Sequence, residues 1–204
     1  MVETTDAASR SIRMLGMFEE ALVALATDPA RRARLRREGE ASLDGFALDA
    51  TERRALAAIP VEALERYAQS LVAKKWHEVS RTASLTSRIV PDLARIYRSW
   101  AEGHPAVAED TVLFPGSAEA LRVLSALRLK LSAPRYPDYA ADLLAFEVLS
   151  ACSRADKAER FLTSNWQLSD IAADIAKGLL PADPPERPTL FRFDGTGVRW
   201  RSRA

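Results

Sequence analysis

The sequence predicts a mainly α fold that closes on a small β-α-β-β module, and three observations carry that expectation. Apolar residues return every third or fourth position through most of the chain up to Leu149. Proline and glycine divide that pattern into segments of helical length, and after Pro188 the period drops to two. With 48% apolar residues in 204, the chain can fill the core of one large domain or of a domain and a small module.

Leu15, Phe18, Leu22 and Leu25 start the helical reading, and Asp28-Pro29 has the form of an N-cap followed by proline at the first helical position. The helix it opens runs through Arg31 to Glu40, with Gly39 and Gly45 marking its end and the turn beyond. Asp49, with Glu52 three residues on, has the capping-box form and leads a third helix through Leu56. Val61, Leu64, Ala68, Leu71, Val72, Trp76 and Val79 then lie on one stripe of a long helix, the clearest in the chain. A second pattern, Leu85, Ile89, Leu93, Ile96, Tyr97 and Trp100, contains Pro91, which must kink it or restart it.

His104 to Gly116 keeps no period and reads as a loop of about a dozen residues. Ser117 caps a helix with Leu121, Leu124, Leu127 and Leu131, and Pro134 and Pro137 separate it from a helix with Tyr139, Leu143, Phe146 and Leu149. Phe161 to Leu168 is compatible with a strand, Ser169 with an N-cap, and Ile171, Ile175 and Leu179 with a short helix ending near Gly178. Thr189–Phe193 and Val198–Arg201 alternate as two strands around a four-residue loop, Asp194 to Gly197. Three segments follow: a helical association module over 1–60, a helical docking domain over 61–155, and a winged-helix-like module over 156–204.

The residues point to binding instead of catalysis. Lys and Arg number 29 against 28 Asp and Glu, so no global field draws the chain onto nucleic acid or anionic lipid. The acidic first twenty residues do not resemble a secretory signal, no apolar run approaches the roughly 20 residues of a membrane span, and Cys152 stands alone, all of which fits a cytoplasmic protein. His77 and His104 are too far apart in sequence to share a helix face as metal ligands. Gly195-Thr196-Gly197 joins two strands, where a phosphate loop joins a strand to a helix. Glu147 is less ordinary, following Phe146 on a largely apolar face, and a structural hydrogen bond explains it as readily as catalysis. The arginines between Arg31 and Arg37 surround Leu35 on several sides, a pattern for a short exposed helix and not for a groove reader. In the hairpin Arg199, Arg201 and Arg203 take one face, with Val198 and Trp200 on the other toward the core. A basic face for a partner and a solvated, charge-protected edge are both consistent with that pattern.

Several stretches together resemble the partner proteins of the multinuclear non-haem iron oxygenases that modify ribosomally made peptides, the methanobactin-partner type. They are Tyr67…Leu71…Lys74-Lys75, Leu85-Thr86…Leu93…Tyr97…Trp100, Tyr139…Leu143…Phe146-Glu147, Phe161-Leu162…Trp166 and Phe191-Arg192-Phe193…Val198-Arg199-Trp200. The resemblance covers residues 61 to 203 and rests on no single sharp motif. It implies a chain with no cofactor and no metal of its own, a helical domain that docks on the iron-bearing enzyme through Tyr97, Trp100, His104 and Phe114, and a terminal module that binds the precursor's leader. Leu190, Phe191, Arg192, Phe193, Arg199, Trp200 and Arg201 are its expected peptide contacts. Strand addition to an exposed hairpin edge gives that binding a physical basis. Two other functions remain open at this point. One is a DNA-binding regulator that uses Arg199 and Arg201 on phosphates. The other is a small helical subunit of a ring-cleaving dioxygenase, because Leu25 to Leu35 looks like the short helical modules of such subunits.

Overall fold

The structure, a computed structural model, describes residues 16–102 and 118–202. It is mainly helical, with a three-stranded antiparallel sheet near the C-terminus, and the order strand–helix–strand–strand is as the sequence predicts. Leu15, the loop from His104 to Gly116 with Phe114, the Ser117 cap and Arg203 lie outside the described residues. The described chain forms two compact units where three segments were expected. One takes residues up to 72 together with 101–102, and the other takes 73–100 and 118–202. The terminal sheet therefore shares a unit with the central helices.

In the first unit α1 is helical over 16–27, α2 spans Pro29–Glu38, a 3₁₀ turn follows at Gly39–Leu43, α3 spans Ala50–Ala57 and α4 begins at Val61. The side chain of Asp28 accepts the N–H of Ala30 at 2.8 Å, and Pro29 occupies the first turn. Gly39 ends α2 at φ +57, a left-handed value that a Cβ would strain. Asp49 and Glu52 form the expected reciprocal capping box of α3. Ala21, Leu25, Leu35, Leu43, Leu48, Leu56 and Leu64 make the core, with Phe18, Leu22 and Phe46 packed against it.

The arginine run of α2 is spent inside this unit. Arg32 donates to the carbonyls of Leu25 and Ala26 at 3.0 and 2.8 Å, closing the end of α1. Arg36 reaches Glu65 at 3.1 Å, Arg34 meets Glu38 at 2.6 Å, and the Arg31 guanidinium lies 5.0 Å from the centre of the Phe46 ring.

In the second unit α4 ends at Thr82, α5 spans Ser84–Ile89, α6 Leu93–Glu102, α7 Ala118–Leu131 and α8 Ala140–Asp156. Pro91 separates α5 from α6, as its missing N–H requires. Trp76 of α4, Tyr97 and Trp100 of α6 form a row of rings with centroids 5.5 and 6.0 Å apart. α8 is buried around most of its girth and touches α5, α7 and every strand. Arg128 on α7 bonds Asp142 on α8 at 2.6 Å.

β1 (Arg160–Trp166), α9 (Leu168–Ala176), β2 (Glu186–Asp194) and β3 (Gly197–Ser202) complete the chain, with β2 central in the sheet. Two expectations shift. α9 starts at Leu168, so Ser169 sits inside the helix, where its hydroxyl accepts from Gln167 at 3.0 Å instead of capping. The hairpin closes on Asp194 paired with Gly197, which leaves a two-residue turn where four were expected. Asp194 tightens it by accepting the N–H of Thr196 at 2.9 Å and that of Gly197 at 3.0 Å. A Cβ on Gly195 would lie 2.6 Å from Cδ of Lys157, so that side chain would have to move.

Cross-strand partners share a face, so the register places Leu162, Phe191 and Trp200 on one side of the sheet and Phe161, Arg192 and Arg199 on the other. Phe146 of α8 meets Phe191 and Phe193 edge-on at 5.2 and 5.6 Å. Phe191 is fully buried whereas Trp200, on the same face, is 53% exposed, because β3 is the outermost strand over α8. Phe191→Ala should therefore lower unfolding stability in urea by about 3–5 kcal/mol. Trp200→Ala should cost no more than about 1–2 kcal/mol, since much of its ring is in water already.

Candidate functional site

The outer edge of β3 presents backbone groups that no described strand pairs. The sheet order leaves the outer edges of β1 and β3 without a strand among the described residues. The two edges are not equivalent. In β1 the register breaks between Ser164 and Trp166, an irregularity of the kind that blunts an edge, whereas β3 pairs with β2 residue by residue from Gly197 to Ser202. The hairpin also fixes which groups point outward. Hydrogen-bonded and open pairs alternate from the turn at Asp194 and Gly197, so the N–H and C=O of Val198, Trp200 and Ser202 face away from β2.

Side chains flank this edge on both faces. Arg199 and Arg201 are exposed on the outer face; Arg199 lies 3.8 Å from Asp194, and Arg201 forms no ion pair among the described residues. Arg192, next to Arg199 on β2, is held by Glu159. Leu190 is half-buried on the same face. Phe161 completes the row of Arg192 and Arg199 and is 55% exposed, but it lies on β1, across β2 from the open edge of β3.

Other expected contacts turn out to be core. Phe191 and Phe193 are wholly buried against Phe146, so their side chains are not offered to a docking chain. Tyr97 is buried between Trp76 and Trp100, and of Tyr97 and Trp100, the two described residues expected to dock a partner, only Trp100 keeps partial exposure. Spacing alone put both on one helix, but not which of them the neighbouring tryptophan of α4 covers. His104 and Phe114 are not among the described residues.

A second feature of the same unit is a cleft of about 460 Å³ between the end of α4, the start of α5 and α8. Glu78 and Arg81 line one wall, Ser150 and Arg154 the other, and Glu147 lies within it. α5 has no capping side chain of its own; Glu147 supplies one from α8. Its carboxylate accepts the N–H of Leu85 at 2.7 Å, the N–H of Thr86 at 2.9 Å and the Thr86 hydroxyl at 2.7 Å. Burial pushes the Glu147 carboxyl upward from its ordinary range, and these donors oppose the shift by favouring the charged form. A carboxylate with its lone pairs so engaged is a structural cap and not a free base. No group of three or more His, Cys, Asp or Glu that could hold a metal ion occurs among the described residues. No described helix is long and apolar enough to cross a membrane.

Neither a family model nor a curated protein nor a solved structure matches the chain. The geometry above therefore carries the functional argument alone with the sequence resemblance.

Two consequences are measurable. Glu147→Ala leaves two backbone donors of α5 without an acceptor and should cost about 2–4 kcal/mol in urea unfolding, with Glu147→Gln between it and the parent. The pH dependence has two opposed parts. Asp156, gripped by Arg160 at 2.7 and 2.5 Å, is lowered to about 2 by that pairing. Its folded pKa is depressed, so its stabilisation is present above the ordinary carboxylate range and is lost as pH falls toward 2. Glu147 has the opposite sign: its raised pKa makes the fold lose stability as pH rises through the carboxylate range. Asp156→Asn should accordingly flatten the acid side of a stability–pH curve, while Glu147→Gln should leave that side intact.

Proposed function

We propose that this chain is a non-catalytic cytoplasmic subunit that binds an extended segment of a ribosomal precursor peptide and presents it to a multinuclear non-haem iron oxygenase. The observation that carries the reading is the regular, open edge of β3, with exposed arginines on one face and a half-exposed tryptophan on the other. An extended peptide can complete such an edge, gaining main-chain hydrogen bonds for affinity and alternate side-chain contacts for selectivity. The resemblance of residues 61 to 203 to partner proteins of these oxygenases supplies the identity of the enzyme. In this reading the iron and its oxidative chemistry belong to the partner.

The regulator reading rests on Arg199 and Arg201, and α2 adds nothing to it, because its arginines are engaged by carboxylates, carbonyls and a ring within their own unit. What remains for phosphate is the pair on β3, and two contacts give only a shallow salt dependence.

The test is reconstitution with an iron oxygenase and a precursor peptide encoded beside this gene. Oxidation of the peptide, read by mass spectrometry, is expected when both proteins are present and not with this chain alone, which should also purify without stoichiometric iron. Equal turnover by the oxygenase without this chain, or turnover by this chain alone, overturns the proposal.

A further inference from the structure

The open edge of β3 has a chemical pattern of its own, and it bears on what the edge selects. Arg199 and Arg201 stand two residues apart on the outer face, roughly 7 Å from one another along the strand. Trp200 between them projects to the opposite face, where 53% of its surface is exposed. A strand added to β3 sets its residues directly across from these three, with Cβ atoms about 5 Å apart, close enough for each to meet its counterpart.

Resting on the strand-addition reading above, we infer that β3 selects an extended peptide segment in which an apolar residue is flanked on both sides by acidic ones. The two carboxylates face Arg199 and Arg201, and the apolar side chain covers Trp200. The incoming strand runs antiparallel to β3, the direction in which the residue opposite Trp200 exchanges both N–H···O bonds with it. Charge complementarity fixes the ends. Arg199 is 72% exposed in its side chain with only a 3.8 Å approach to Asp194, and Arg201 has no acidic partner among the described residues. The middle position is fixed by water: an indole half out of solvent contact gains most from a side chain that removes the other half. The hydrogen bonds are fixed as well. Trp200 points its N–H and C=O to the open edge, so the apolar residue opposite it exchanges both main-chain bonds, and the acidic residues sit at the open pairs, where side chains approach most closely.

Four fluorescein-labelled heptapeptides in a threonine host test this by anisotropy against the full chain. Their centres are Glu-Val-Glu, Val-Glu-Val, Lys-Val-Lys, and Glu-Val-Glu with an N-methylated valine. The first should bind at least tenfold more tightly than the second and third, the sum expected of two surface ion pairs and one apolar contact. In the Arg199→Glu, Arg201→Glu double variant the preference should reverse, with Lys-Val-Lys now the better ligand. That reversal separates recognition from misfolding, because an unfolded variant would lose both peptides. Trp200→Ala should weaken Glu-Val-Glu while the circular dichroism spectrum is retained. If the three unmethylated peptides bind alike but methylation abolishes binding, strand addition stands and the acidic–apolar–acidic pattern falls. If methylation changes nothing, strand addition at this edge falls with it. Displacement of Glu-Val-Glu by oligothymidylate at equal concentration would show the arginines to be phosphate contacts and overturn the inference.

Discussion

Burying a carboxylate costs several kcal/mol unless donors replace its water, and Glu147 is buried in the middle of the helix on which the second unit is built. Its position is therefore set by where donors can be found. The first turn of α5 has them: a six-residue helix with no cap from its own sequence, whose free N–H groups would otherwise be stranded against α8. Each element solves the other's problem, and neither can move without exposing a cost. The next residue back, Phe146, carries the constraint to the sheet by seating Phe191 and Phe193 on α8. Two consecutive residues thus fix α5 on one neighbour and β2 on another. Arg88 at the end of α5 then donates to the carbonyl of Ile175 at 3.0 Å, closing α9 onto the same frame.

That frame fixes the register of β3, which strand addition at its edge would require. A two-stranded hairpin alone is marginal in water. Here β2 is held by two buried phenylalanines and flanked by β1, and β3 inherits its register through a turn that Asp194 ties down with two N–H bonds. Preorganised strands add partners at lower entropic cost than flexible ones. The arginines on β3 have a second effect: charges on an edge discourage pairing between copies of the same strand, since like charges would meet. The same two side chains that oppose self-association favour a ligand of opposite sign.

The fold was legible where the physics is local. Asp28-Pro29, the Asp49–Glu52 box and Pro91 act on their own turns, and each marks an element boundary that the structure keeps. The alternation of the hairpin assigned faces correctly, including Trp200 to the side that α8 covers. Coverage was not legible. Whether Trp200 is buried depends on how far α8 extends beneath the sheet, and whether Tyr97 is exposed depends on Trp76, twenty-one residues away on another helix. The arginines of α2 read as an exposed run, and Arg31, Arg34, Arg36 and Arg37 are exposed; not legible was that Arg36 reaches Glu62 and Glu65, a helix and two turns further on. Ser169 had the chemistry of a cap, but β1 runs on to Trp166 and Gln167 takes the boundary, which leaves that hydroxyl inside the helix.

The candidate site divides along the same line. The exposure of Arg199 and Arg201 was legible because an edge strand shows its outer face to solvent whatever lies beneath it. Phe191 and Phe193 were assigned to peptide contact from the same strand pattern, and they fail because the inner face of a central strand is the first surface a packed helix claims. A period of two says that a strand has two faces; it does not say which strand is central. In an antiparallel β-α-β-β module either β2 or β3 can pair with β1, and the outcome decides which of two aromatic-bearing strands becomes core and which becomes edge. Here β1 pairs with β2. Pairing with β3 instead would have buried Trp200 and placed β2 at the rim with its phenylalanines in water. The volume and apolarity of the two strands favour the observed choice: β2 brings Phe191 and Phe193 to the inner face, β3 only Val198 and Trp200, and burying the first pair leaves the indole, with its polar N–H, at the wetter position.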